Sequence, residues 1–251
     1  MSWFEGKHAL VTGGGSGIGA ATAKILIDKG ATVTIAGRNG ERLEAAAKSL
    51  GASPVVVDVT NRESVATAFA SAVEKHGAID VLINNAGAAE AAPFIKMTDE
   101  HWDHMLAVNL TGVYNCCKAV IDGMLANDGG RIVNVASVAG QRGEAYIAGY
   151  CAAKHGVIGL TRALAKEFAT KNITVNAVCP GYVDTDIVQN AIANIVAKTG
   201  RSEAEALAEI VKTNPQGRLI QPEEVADTIM WLCRQQSVNG QSITIDGGEV
   251  M

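Results

Sequence analysis

Apolar residues along the chain occur in two patterns: short compact runs, and longer segments where they recur every three or four residues. The runs are His8–Val11, Thr32–Ala36, Pro54–Val57, Ile79–Ile83, Ile132–Val135, Ile173–Val178 and Ser242–Ile245. They are too short for stable helices, and several end in Gly, Asn or Asp, so they predict buried strands. The second pattern predicts helices. One follows Gly17-Ile18-Gly19 and stops at Gly30, and another runs from Leu43 to Leu50. A third carries Val65, Ala68, Phe69 and Val73 on one side, and a long one is expected from about His101 to Met124. From Tyr150 a stripe of Val157, Leu160, Leu164 and Phe168 predicts a helix, and Pro222 opens a further one through Val225, Ile229 and Leu232. Strand and helix alternate over 1–251 without a linker, repeat or change of composition. The pattern predicts a single-domain α/β fold with a doubly wound parallel sheet. Residues 186–214 form two amphipathic pieces broken at Gly200, a helical hairpin expected to act as a substrate lid.

Composition narrows the class. The 251 residues are 48% hydrophobic and 19% charged, which suits a globular protein with a sizeable core. A net charge of -5 and the lack of a basic run argue against nucleic acid as a partner. No apolar run approaches the roughly 20 residues needed to span a bilayer, and the N-terminal residues carry no signal-peptide pattern. Five cysteines, Cys116, Cys117, Cys151, Cys179 and Cys233, follow neither a zinc spacing nor a disulfide framework. Reduced thiols in a cytoplasmic protein, with no metal, are expected.

The first strand leads directly into Thr12-Gly13-Gly14-Gly15-Ser16-Gly17-Ile18-Gly19 and then a helix. A glycine loop alone is weak, but between a strand and a helix it suits a dinucleotide pyrophosphate. The glycines let backbone approach the phosphates, and the helix N-terminus offers free N–H groups. After the second strand stand Gly37-Arg38-Asn39, with no acid at the tip. An acid there commonly holds a ribose 2′-hydroxyl and an Arg accommodates a 2′-phosphate, so Arg38 points to NADP(H). The bland reading is a solvated Arg38 beside an Asn39 that caps the next helix. Asp58 divides similarly between an adenine contact and a cap for the helix that begins near Thr60-Asn61. The run Asn84-Asn85-Ala86-Gly87 suggests backbone exposed to cofactor, with amides bracing neighbouring strands.

The catalytic candidates lie in Ile132–Lys154. A buried strand reaches Ser137, loops through Gly140 and Gly143, and enters a helix at Tyr150. Tyr150 and Lys154, four apart, share one helix face, with only Cys151, Ala152 and Ala153 between them. A phenol beside an ammonium is suited to acid–base work, because positive charge favours phenolate. Ser137 can donate a hydrogen bond to the carbonyl oxygen that the phenol protonates. A lone Tyr-x-x-x-Lys is often ordinary helix surface, so the neighbouring motifs decide. Asn109, inside the long helix, is either a structural bond or a holder of water.

Taken together, TGGGSGIG at Thr12–Gly19, NNAG at Asn84–Gly87, Asn109, Ser137, YCAAK at Tyr150–Lys154 and PGYVDT at Pro180–Thr185 resemble the short-chain dehydrogenase/reductase family over nearly the whole chain. The resemblance implies a seven-stranded Rossmann sheet and a catalytic tetrad of Asn109, Ser137, Tyr150 and Lys154. In that scheme Tyr150 is general acid or base and Ser137 orients the substrate oxygen. Lys154 lowers the tyrosine pKa and binds the nicotinamide ribose, and Asn109 holds a proton-relaying water. Cofactor contacts are implied for Gly13, Ser16, Gly17, Ile18, Gly19, Asn85, Ala86, Gly87, Tyr150 and Lys154. Asp58 and Val59 are implied at the adenine, and Pro180, Gly181, Val183 and Thr185 near the nicotinamide. Arg38 matches the basic residue of NADP-preferring members, although Ser16 stands where some carry a cation in the glycine loop.

Within the family the chain is similar to bacterial 3-oxoacyl-thioester reductases, whose substrates are acetoacetyl-CoA, acyl-carrier-protein or polyketide thioesters. The loop Ala88–Phe94, with Ala145, Ile147, Ala148 and Tyr182, would form a modest apolar pocket. An NADPH-dependent carbonyl reductase of 3-oxoacyl thioesters is therefore expected. Alternatives are an NADP-dependent dehydrogenase of secondary alcohols or alicyclic hydroxy compounds, and a sensor that binds NADP without chemistry. Relatives assemble as homotetramers, and the same is expected here.

Overall fold

The computed structural model describes residues 2–250. Seven strands form one parallel sheet: β1 (His8–Thr12), β2 (Thr32–Gly37), β3 (Ser53–Val56), β4 (Val81–Asn84), β5 (Gly130–Val135), β6 (Ile173–Pro180) and β7 (Ser242–Ile245). Their spatial order is 3-2-1-4-5-6-7, so the winding reverses between β1 and β4. Ligands of such sheets bind outside the carboxyl ends of the strands at that reversal. The glycine loop after β1 and the Asn84–Gly87 run after β4 both emerge there.

Alternation along the strands sorts their side chains into two cores. Leu10, Leu82, Ile132 and Val175 face α3 (Arg62–His76), α5 (Gly112–Ala126) and α6 (Ala148–Glu167). Ala9, Val11, Val33, Ile35, Ile83 and Val133 face α1 (Gly17–Asp28), α2 (Gly40–Leu50) and α9 (Pro222–Arg234). A third, small core joins α7 (Asp186–Thr199) to α8 (Glu203–Val211) through Val188, Ile192, Ala206 and Ile210. The expected hairpin therefore packs chiefly on itself. Gly200 ends α7 in the left-handed conformation, and Ser202 with Glu205 forms a capping box that starts α8.

The long helix expected from about His101 to Met124 is present as unbroken helical backbone from Asp99 to Ala126, but it is not α-helical throughout. An α-helix, α4 (Asp99–Leu106), widens into one π turn at Ala107–Thr111 before α5 begins. Asn109 lies inside that turn, where the wider ladder leaves its amide free to bond outside the helix.

Candidate active site

The strands deliver polar residues at their carboxyl ends, and α6 delivers Tyr150 and Lys154 from its first two turns. Thr12 ends β1, and its buried hydroxyl accepts from the N–H groups of Asn85 and Ala86, both at 3.0 Å. Asn85 completes the join, donating through Nδ2 to the Thr12 and Gly13 carbonyls at 3.1 Å. Its side chain thus braces the glycine loop against the loop after β4. Asn84 acts one strand over, donating to Asn134 Oδ1 at 2.9 Å, while Asn134 donates to Thr161 at 2.9 Å. A ladder of amides crosses the core from β4 through β5 to α6. Thr12 carried no motif signal beyond its place before the glycines, and its role is visible only in these bonds.

The glycine loop is tight where a phosphate would need it. A Cβ on Gly19 would collide with the Gly13 carbonyl oxygen, so α1 can pack against the loop only with glycine there. At the start of α1 the Ser16 side chain makes no capping bond and no acid stands in the first turn. Its leading N–H groups are thus left for an anion, as a dinucleotide pyrophosphate requires.

At the adenosine end Arg38 is exposed just beyond β2. Asn39 does cap α2, accepting from the Arg42 N–H at 2.9 Å. Asp58 accepts from both the N–H and the hydroxyl of Thr60, at 2.9 and 2.8 Å. Those bonds hold its carboxyl below the usual range, with a smaller contribution from nearby Arg38. The cap of α3 is Asn61, which accepts from the Ser64 N–H, so Asp58 shapes the turn before the helix. Val59 is buried; its side chain lies against Gly112 and its carbonyl accepts from Asn115 at 2.9 Å. Arg42 forms an ion pair with Asp186, the first residue of α7, a link that no motif announced.

Asn109 is fully buried and clamps the backbone of Ala88. Its Nδ2 donates to the Ala88 carbonyl at 2.9 Å, and its Oδ1 accepts from the Ala88 N–H at 3.2 Å. A second Nδ2 bond returns to Met105 O at 3.1 Å. Of the two roles open to it, the structural bond is thus made. Gly87 explains the adjoining space: a Cβ there would stand 2.9 Å from Asn109 Oδ1 and 3.8 Å from Lys154 Nζ. Glycine keeps the gap between amide and ammonium clear.

Ser137, Tyr150 and Lys154 converge. Ser137 follows β5 and caps a short 3-10 turn, accepting from the Ala139 N–H at 3.2 Å. Tyr150 lies in the first turn of α6, with Lys154 Nζ 5.5 Å from its ring centre. Lys154 is buried and donates to the Val135 carbonyl at 2.8 Å. Burial lowers its pKa to about 8, and burial likewise raises the Tyr150 phenol to about 12, opposed by a hydrogen bond with Ser137. At Tyr150 burial outweighs the Ser137 hydrogen bond.

Large apolar and aromatic side chains stand exposed on the loops around these residues. Phe94 and Ile95 are 77% and 92% exposed, and Tyr146 and Tyr182 are also exposed. The Ala92 N–H donates to the Tyr146 carbonyl at 2.8 Å, joining the loop after β4 to the loop before α6. Val183 and Ile220 pair as an isolated parallel bridge, which pins the chain on either side of the α7–α8 hairpin.

A parallel doubly wound sheet, a glycine-lined helix N-terminus and a Ser–Tyr–Lys set at one strand end define the dinucleotide-dependent oxidoreductase class. The chain belongs to the short chain dehydrogenase family, whose model matches residues 7–196. It is 40% identical over 255 residues to a 3-oxoacyl-[acyl-carrier-protein] reductase of Thermotoga maritima, covering 99% of both chains. It is also 41% identical to a putative ketoacyl reductase of the monensin polyketide synthase from Streptomyces virginiae, covering 99% of this chain and 98% of the relative. Among solved structures, an actinorhodin polyketide ketoreductase variant with NADPH superposes with a TM-score of 0.94 at 37% identity, covering 99% of each chain. A levodione reductase gives 0.92 at 33%, covering 98% of each.

Proposed function

We propose that the protein reduces the ketone of 3-oxoacyl thioesters with NADPH, Tyr150 serving as the general acid. The observation that carries this reading is the convergence of Ser137, Tyr150 and Lys154, with Lys154 Nζ 5.5 Å from the Tyr150 ring, after the strand ends at the β1–β4 reversal. The glycine-lined N-terminus of α1, Arg38 at the ribose end and the gap kept by Gly87 fit an NADP(H) molecule. When bound, NADPH supplies a hydride to the substrate carbonyl carbon. As the C=O electrons move to oxygen, Ser137 donates a hydrogen bond to that oxygen and Tyr150 delivers the proton. Lys154, cationic below about pH 8, stabilises the phenolate left behind. Asn109 fixes the Ala88 backbone at the cleft wall, and its amide oxygen faces the gap at Gly87, where a water could relay protons.

The ketoacyl reductases among the relatives support thioesters. The likeness to a levodione reductase, with the apolar side chains exposed on those loops, favours a second reading in which simple ketones or secondary alcohols are the substrates. Following NADPH oxidation with acetoacetyl-CoA and with a panel of simple ketones separates the two. Turnover of the thioester is expected; turnover of simple ketones alone would establish the second reading, and binding without turnover of any ketone a sensor. No described helix is long and apolar enough to cross a membrane. All five cysteines are free and buried, which suits a cytoplasmic protein. We also infer a homotetramer, since β7 is only half-buried along its length and Trp231 is exposed.

A further inference from the structure

The chain between β6 and α7 crosses the dinucleotide cleft. In the sheet, β5 and β4 stand between β6 and β1. Yet Thr185, five residues past the end of β6, lies against Gly17, where a Cβ would come within 2.9 Å of its methyl carbon. Residues 181–185 therefore pass the carboxyl ends of β5 and β4 and finish at the N-terminus of α1. That is the helix end left open for a pyrophosphate. On the way Val183 is buried and pairs with Ile220, so this strap is fixed at its middle.

The far end of the strap is held by charge. Asp186, the first residue of α7, forms an ion pair with Arg42 in the first turn of α2. Arg42 is itself set by the cap of that helix, since its N–H donates to Asn39 at 2.9 Å. The same turn leans on the glycine loop: Leu43 lies 3.7 Å from a Cβ built on Gly15 and 3.5 Å from one on Gly37. The pair thus joins two walls of the cleft, the strap on one side and α2 with the glycine loop on the other. Neighbouring charges have other work. Asp184 accepts from the Gln189 amide at 2.8 Å, and Glu41 favours the start of α2 from its first turn. Arg38, four residues earlier, is exposed and can serve a 2′-phosphate while Arg42 serves the strap.

We propose that Arg42 and Asp186 form a latch that holds the strap against the dinucleotide site, so that NADP(H) leaves when the pair opens. The inference rests on the dinucleotide site and holds whichever ketone is reduced. The two side chains are 53% and 60% exposed, so the pair is weak and screened by salt. A weak latch suits a coenzyme that must exchange in every turnover, because it slows release without preventing it. Arg42 and Asp186 are positioning residues and touch no reacting atom.

The test follows NADPH release by stopped-flow fluorescence when the complex is mixed with excess oxidised coenzyme. Arg42→Gln and Asp186→Asn should each speed release about two- to fivefold, the range for an exposed pair. The double variant should be no faster than either single one, because each removes the same bond. The ratio of variant to wild-type rates should shrink in about 0.5 M salt, which a merely structural change would not produce. NADH, which lacks the 2′-phosphate, should gain the same factor. In the coenzyme-free protein, hydrogen exchange over residues 183–190 should quicken in both single variants. Both residues are exposed, so the variants should fold, as circular dichroism would verify. Additive single effects, or unchanged release from folded variants, overturn the latch. So does a gain confined to NADPH and to Arg42→Gln, which would make Arg42 a phosphate ligand instead. A wild type that binds neither coenzyme removes the dinucleotide site, and the latch with it. Release is read without a ketone, so a failure of the thioester reading does not disturb the result.

Discussion

At the scale of single residues, the site depends on two groups that burial drives in opposite directions. Tyr150 is held as the neutral acid, with its pKa near 12, while Lys154 is brought down to about 8. Tyr150→Phe should therefore lower turnover by 10²–10⁴-fold or more, with NADPH binding retained, as steady-state kinetics and a binding titration would read. For Lys154 the sign follows from its folded pKa lying below the unfolded 10.5. Between those values the unfolded chain binds more protons, so stability rises as pH climbs from about 8 to 10.5. The gain through Lys154 amounts to about 3 kcal/mol at most. Lys154→Met should flatten that rise in denaturant midpoints measured across the window. Reduction by the wild type should fall above about pH 8, where the ammonium is lost. Arg38 gives the remaining prediction at this scale. A partly exposed guanidinium–phosphate pair contributes roughly 1.5–3 kcal/mol, so NADPH should be preferred over NADH about 10- to 150-fold in kcat/KM. Arg38→Ala should remove most of that by raising the KM for NADPH alone, and a variant that keeps the preference would assign the ribose to another residue.

Among the elements, the α7–α8 hairpin stands apart. Its four buried residues make a core of their own, separate from the two cores that clamp the sheet. The hairpin is tied to the rest by the Val183–Ile220 bridge at its base and the exposed Arg42–Asp186 ion pair at its start. An exposed pair adds about 1 kcal/mol or less, so the hairpin should open far more readily than the sheet. Without ligand, its amides should exchange hydrogen much faster than those of β5. Substrate with NADPH should slow them as the lid closes and excludes water. Equal protection of the hairpin and β5 in the free protein would contradict the lid.

The whole molecule should be an assembly. The half-buried β7 and the exposed aromatic side chains Tyr114 and Trp231 leave apolar surface that one sheet does not cover. Sedimentation at micromolar concentration should give a mass four times that of the chain, and a stable monomer would refute the tetramer. The turn after β7 belongs to this scale as well, because it brings residues 142, 181, 214 and 249 together from four distant parts of the sequence.

Local chemistry made much of this legible before any coordinates. Short continuous apolar runs are those of strands buried on both faces of a sheet, and strand–helix alternation allows parallel strands with few windings. The four-residue spacing of Tyr150 and Lys154 placed both on one helix face, and a glycine loop between strand and helix marked an anion site. The spacing could not fix the balance of pKa effects. Burial, a property of the packed molecule, raises Tyr150 and lowers Lys154, and no spacing encodes its depth. Nor could the sequence show the π turn around Asn109, because its wider ladder coincides with the bonds to Ala88, distant in the chain. The Arg42–Asp186 and Arg142–Glu249 pairs join residues 144 and 107 positions apart. No local pattern encodes such partners; only the closed tertiary fold brings their charges together.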